Sequence, residues 1–326
     1  MDGPELTYPR PELAATVLWE IRQGTAAIPR LDHVGTGFEP LDNMLEGGFL
    51  PGELVVLGAR AGAGKTSLAL QWANAVSRSG RRATFACFGH DEYSLTTRLV
   101  LQAVASTREV SDPTERHRLR RMVYALLRGH VSYQTAVAEF AGINEIMDDL
   151  ASFSTGLQLF RPWAQRTTPE VLLEACGSHL QVGSVLFVDY LQKVSTSSDV
   201  PVEQQIFRVT EMLKELAVSR QITVVAVSAA HNDRINRGAV RLADLQGSDA
   251  IASECDVALV LNDKANLLAS RQGGLGASRN ERDRQLSVLT IEKNRRGEVG
   301  MHMEFTKDLS NFRFEPRGAF VGEPID

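Results

Sequence analysis

Residues 53–80, ELVVLGARAGAGKTSLALQWANAVSRSG, constrain this chain more than any other stretch. The apolar run 54–57 has the length of a strand, and a turn built on Gly58, Gly62 and Gly64 follows it. Lys65, Thr66 and Ser67 then open a segment in which Leu68, Trp72 and Val76 recur at helical spacing. Strand, glycine turn, Lys-Thr, helix is the order that a phosphate-binding loop requires. Small residues in the turn let consecutive backbone N–H groups face an anion. The start of the helix adds its unpaired N–H groups and its positive dipole end. Lys65 supplies a point charge for the outer phosphates of a nucleotide, and Thr66 a hydroxyl for Mg2+. The strict pattern begins with glycine where this chain has Ala59, so the nucleotide-binding set reads Ala59, Arg60, Ala61, Gly62, Ala63, Gly64, Lys65, Thr66 and Ser67.

A chain of 326 residues is long enough for one large α/β domain. Its net charge of −5 means that a polyanion would bind only through a local patch. No apolar run reaches membrane-spanning length, and the acidic, proline-bearing start is not a secretory signal. Cys87, Cys176 and Cys255 are far apart, without metal spacing, and read as reduced core thiols of a cytoplasmic protein.

Residues 1–30 read as an arm and a linker helix, ahead of a nucleotide-binding domain over 31–326. The helix, 11–23, carries an apolar stripe of Leu13, Val17, Leu18 and Ile21; it either folds back on its own domain or docks on a neighbouring subunit. Buried strands are expected at 54–57, 82–88, 184–190, 222–228 and 257–261, and a short strand at 156–160. Helices are expected at 94–106, 113–127, 133–150, 168–180 and 202–220. Thr168 is the expected N-cap of its helix. Residues 264–284, rich in Gly, Ser, Ala and Arg, read as a mobile loop. The runs 285–293, 300–306 and 311–314 have antiparallel character. The alternation implies an α/β fold with a mainly parallel sheet, helices on both faces and closing antiparallel strands. Ligands bind at the carboxyl ends of such strands, where the glycine turn, residues 89–92, Asp189 and Ser228 all fall. Asp189, ending an apolar strand, has the position of a carboxylate that holds Mg2+.

The glycine turn, Asp189-Tyr190-Leu191-Gln192, the block from Asp244-Leu245 to Asp256, and Lys293-Asn294-Arg295-Arg296-Gly297 together resemble the motor domain of DnaB-type replicative helicases. Thr36-Gly37-Phe38 matches the family's lead-in, and the resemblance spans about residues 30–316. It implies a RecA-like P-loop ATPase core, a six-membered ring and ATP sites between subunits. One subunit would then supply Lys65, Thr66 and Asp189, and the next Lys293 and Arg295, acting in trans on the γ-phosphate. It further implies single-stranded DNA as partner. The family's primase-interacting domain has no counterpart in this sequence, and the helix at 11–23 resembles the linker helix that grips the next subunit.

The chain also departs from the family. Gly89 stands where the family has a glutamate that polarises water; His90, Asp91 and Glu92 follow, and Glu92, with the longer reach, is the expected base. His90 is otherwise a satisfied turn residue. Ala229 replaces a glutamine that senses the γ-phosphate, Gln246-Gly247 replaces Arg-Glu, and Asp249 replaces a glycine. Arg234, Arg237 and Arg241 lie in a loop that either tracks a phosphate backbone or is solvated; no aromatic residue is interleaved. The basic run 117–121 reads as a solvated helix face or as a patch. Two functions are therefore carried forward: a ring-forming motor on single-stranded DNA with weakened hydrolysis, and an ATP-gated oligomeric scaffold or switch of RadA- or KaiC-like type.

Overall fold

A computed structural model describes residues 14–23, 32–106, 112–140, 142–164, 166–196, 201–231, 238–271 and 281–322. The chain divides into two compact units, Met1–Asp32 and His33–Asp326. In the first, α1 (Ala14–Gln23) exposes Leu18 and Trp19.

The second unit opens with α2 (Glu39–Met44). Asp42 on that helix accepts from Thr36 N–H at 2.8 Å, Thr36 Oγ1–H at 2.7 Å and Gly37 N–H at 3.0 Å, which fixes the chain's approach to the sheet. The sheet contains β1 (Leu54–Ala59), β2 (Ala83–Cys87), β3 (Leu157–Phe160), β4 (Val185–Asp189), β5 (Thr223–Ala229) and β6 (Val257–Asp263), all parallel. Four further strands extend it antiparallel: β7 (Leu286–Asn294), β8 (His302–Asp308), β9 (Arg313–Phe314) and β10 (Ala319–Val321). The order is β10-β8-β7-β6-β1-β5-β4-β2-β3, with β9 pairing β8 off this path.

Central strands send alternate side chains to opposite faces. Val55 and Leu57 join Phe85, Phe187, Val225 and Val227 on one face; Leu54 and Val56 join Leu186, Val188, Val224 and Ala226 on the other. The first face is covered by α3 (Lys65–Arg78) and α4 (Glu92–Ser106), whose Leu68, Trp72, Val76, Leu95 and Leu99 are buried there. The second is covered by α8 (Pro169–Cys176), α9 (Val202–Arg220) and α10 (Ser248–Glu254). Continuous apolar strands arise because both faces need covering. The cysteines are buried on these faces.

Beyond α4, the helices α5 (Pro113–Leu127), α6 (Tyr133–Glu139) and α7 (Gly142–Ser154) form a small cluster with its own core, including Leu119, Val123, Ala136 and Ile143. The single helix expected over 133–150 is thus two, because Phe140 turns to an extended backbone (φ −140°, ψ 93°). In the run 117–121, Leu119 is buried and His117, Arg118 and Arg121 are exposed. Thr168 caps α8 by accepting from Val171 N–H at 3.4 Å, but that helix stops at Cys176 and a 3-10 turn follows. The loop expected over 264–284 is helical at both ends, as α11 (Lys264–Arg271) and α12 (Glu281–Arg284); its remainder lies outside the described residues. Leu267 on α11 is buried, and that apolar anchor outweighs the polar composition. Strand β10 has no signal in the sequence reading. Among the described residues no helix is long and apolar enough to cross a membrane.

Candidate active site

The parallel strands end together. Ala59 pairs Ala229, Gly58 pairs Ser228, and Asp189 pairs both Cys87 and Val227. Residues far apart in sequence therefore meet at one edge of the sheet, beside the glycine turn.

Gly64 is the last residue of that turn, with φ at 96°. A Cβ there would lie 2.7 Å from Phe314 Cζ and 2.9 Å from Leu309 Cδ2, so both its backbone angle and its neighbours demand glycine. Gly58 answers a different demand, since Leu245 methyls would stand 2.5 Å from its Cβ. Lys65 begins α3, and its Nζ donates to the carbonyl oxygens of Ala59 at 3.0 Å and Arg60 at 2.8 Å. Burial lowers its pKa to about 8, against the opposing pull of the Asp189 carboxylate. A half-buried ammonium, held by two neutral carbonyls, is set to take a strong anion.

Thr66 Oγ1–H donates to Asp189 Oδ2 at 2.6 Å, and the Cys87 thiol donates to the same oxygen at 3.5 Å. Burial first, and then Asp189, pushes the Cys87 thiol up to about 12, so it stays protonated. A hydroxyl and a buried carboxylate in contact form a hard oxygen pair suited to Mg2+, which takes few protein ligands beside phosphate and water. Among the described residues there is no group of three or more His, Cys, Asp or Glu able to hold a metal by themselves.

Gln192 was named in the sequence only as part of a motif. Its Nε2 donates to Ser228 Oγ at 2.8 Å and to the Gln246 carbonyl at 2.9 Å, while its Oε1 accepts from Ala229 N–H at 3.5 Å. It ties the ends of β4 and β5 to the segment that leads into α10.

The other expected site residues lie elsewhere in the chain. Glu92 opens α4, and its Oε1 accepts from Arg161 N–H at 3.1 Å, just beyond β3. Asp91 caps α4 by accepting from Ser94 N–H at 2.8 Å; hydrogen bonding from the Ser94 side chain, and then from its backbone, lowers the Asp91 pKa. His90 Nε2 accepts from Arg98 Nη2 at 2.7 Å; because guanidinium nitrogens only donate, the proton of the neutral ring sits on Nδ1. Burial, followed by the Arg98 charge, lowers the His90 pKa.

Lys293 and Arg295 stand at the opposite end of the parallel strands. Asn294 pairs Val257, which pairs Val55, four residues before Ala59 and so about 13 Å along β1. Lys293 Nζ donates to the Ala252 carbonyl at 2.6 Å, and Arg295 Nη2 to the Ser253 carbonyl at 2.6 Å. Both cations thus cover the carbonyl end of α10, where its dipole favours positive charge. Arg295 also pairs Asp256 at 3.3 Å, and Asp256 pairs Lys214 at 2.7 Å. Arg296 pairs Glu53 at 2.7 Å. These ion pairs had no signal in the sequence. Arg234 and Arg237 lie outside the described residues; Arg241 pairs Glu292 at 3.2 Å.

A replicative DNA helicase DnaB of Treponema pallidum (strain Nichols) is 28% identical over 281 residues, covering 86% of this chain and 55% of that protein. One of Mycoplasma pneumoniae is 24% identical over 290 residues, covering 85% of this chain and 56% of that protein. The chain therefore spans about half the length of these relatives. Among solved structures, the ATPase domain of G40P superposes with a TM-score of 0.70 at 18% identity, covering 92% of this chain and 95% of that one. A DnaB-like replicative helicase studied for its interactions with primase gives 0.71 at 17% identity, covering 93% of this chain and 68% of that one. These two likenesses establish the RecA-like ATPase fold. The profile of the DnaB-like helicase C terminal domain matches residues 33–314, the whole sheet except β10 together with the site at its edge, and the chain belongs to that family.

Proposed function

We propose that this chain is the ATP-driven motor of a ring, most simply of six copies, that moves on single-stranded DNA. The observation that supports this most directly is the half-buried Lys65 ammonium at the start of α3, held by two backbone carbonyls beside the Thr66–Asp189 pair. Residues 59–67 bind the triphosphate; Lys65 takes its outer charge, and Thr66 and Asp189 hold Mg2+ through their oxygens. Mg2+, when bound, neutralises charge on the outer phosphates. Lys293 and Arg295 of one subunit serve the site of the next, since each chain places them at the end of the sheet away from its own phosphate loop. For Lys293, leaving the α10 carbonyls for a phosphate replaces neutral acceptors by an anion, and Arg295 exchanges its Ser253 carbonyl and Asp256 for the phosphate. The stripe of α1 docks on a neighbouring subunit.

Glu92 is the base that takes the proton of the attacking water, after releasing Arg161 N–H. That added step, together with Gly89 and Ala229, makes turnover slow. The test is steady-state ATP hydrolysis with and without single-stranded DNA, on the intact chain and on Lys65→Ala. DNA-stimulated turnover that disappears in Lys65→Ala is expected. Nucleotide binding without any DNA-dependent turnover would instead establish an ATP-gated scaffold or switch.

A further inference from the structure

Between α4, α5 and the turn before β9 lies a cavity of about 280 Å³. Two guanidiniums line it. Arg98 comes from the middle of α4, with its Cζ 4.4 Å from the centroid of the Phe312 ring. Arg128 follows the last residue of α5, 5.7 Å from the centroid of Tyr124. Among the described residues, neither has a carboxylate within ion-pair distance.

Outside the phosphate loop, three similarly sheltered cations are matched: Arg296 by Glu53, Lys214 by Asp256 and Lys264 by Glu304. Arg98 is as sheltered, and burial lowers its pKa, yet its partners are a neutral imidazole and a ring face. Holding a partly desolvated cation without a counter-ion costs free energy that an anion would return. Asp91 also lines the cavity, but its carboxylate is committed to Ser94 N–H. Two guanidiniums against one carboxylate leave the lining positive, on a chain whose net charge is −5. Two planar, forked donors match a doubly charged phosphate better than a single carboxylate.

We propose that this cavity binds the phosphate group of a small phosphorylated ligand, with Arg98 and Arg128 as its charge partners. It is a second anion site, separate from the phosphate loop, because none of residues 59–67 lines it. It is nevertheless wired to that loop. Arg98 holds His90, the Gly89 and His90 N–H groups face the Cys87 sulfur, and Cys87 donates to Asp189.

The test is calorimetric titration of inorganic pyrophosphate into full-length Lys65→Ala, whose phosphate loop is disabled. One binding event per chain is expected. Adding Arg128→Ala should weaken it by about tenfold or more, the scale of one charge-assisted hydrogen bond. Arg128 is exposed, so this change spares the fold; Arg98→Gln, which keeps a donor beside His90, provides the second variant and should weaken binding likewise. Malonate, with two carboxylates, should bind more weakly than pyrophosphate. Absence of binding in Lys65→Ala, or affinity unchanged in both arginine variants, would overturn the proposal, and malonate binding equally well would overturn the assignment to phosphate. Any of these results leaves the reading of the phosphate loop intact.

Discussion

At the scale of single residues, the chemistry of the site turns on which polar groups are already engaged. Asp91 is committed to capping α4, a task asparagine performs equally well. Asp91→Asn is therefore expected to leave ATP turnover nearly unchanged. Glu92→Gln should lower the residual turnover by about a hundredfold, the scale of losing a general base. Steady-state hydrolysis with single-stranded DNA checks both, and a Glu92→Gln rate equal to wild type would show that the base lies elsewhere. The thiols give an independent check. Burial pushes Cys87 to about 12 and Cys176 and Cys255 to about 11. A raised thiol pKa means less thiolate, so at pH 8 all three should resist iodoacetamide in the folded chain and react readily in denaturant. Mass-spectrometric labelling reads this directly. Lys65, Thr66 and Asp189 were legible in the sequence because loop chemistry is local and because an apolar strand announces the carboxylate at its end. The tie between Glu92 and Arg161 was not, since it depends on how β3 enters beside α4. The pairs Arg296–Glu53 and Lys214–Asp256 join residues 243 and 42 apart, and no periodicity marks such partners.

At the scale of elements, α3 joins the phosphate site to the core. Trp72 is fully buried, edge-on to Phe38 at 6.3 Å and to Phe49 at 5.7 Å. Trp72→Ala should destabilise the chain by about 3–5 kcal/mol. The indole N–H of Trp72 is buried without a partner. Trp72→Phe removes that donor while keeping most of the ring, and should cost less than half as much. Denaturant midpoints for the two variants decide this; equal losses would mean that the indole N–H is satisfied in solution. Strand and helix order followed from the alternation of apolar runs with helical stripes. The break in 133–150 did not, because both halves keep helical spacing and only the backbone at Phe140 departs from it. The end helices of 264–284 were hidden by composition, since one buried leucine decides where α11 packs.

At the scale of the whole molecule, the separation between the two ends of the sheet has a direct readout. Subunits carrying Lys65→Ala and subunits carrying Arg295→Ala should each be inactive alone. Mixed, they should recover part of the turnover, because some interfaces then hold both intact halves. No recovery at any ratio would mean that Arg295 serves its own chain or no chain. The geometry also supplies a mechanical link. Gln192 grips the Gln246 carbonyl immediately ahead of α10, and the carbonyls at the other end of α10 hold Lys293 and Arg295. α10 has seven residues and is about 10 Å long. It is a short rod, tied at its start through Gln192 to the end of the strand that carries Asp189, and holding Lys293 and Arg295 at its carbonyl end. A shift at the end of β4 would be felt, through this one rod, at the other end of the parallel strands. In the proposed ring, that would carry the state of one subunit's phosphate site to the cations that serve the next.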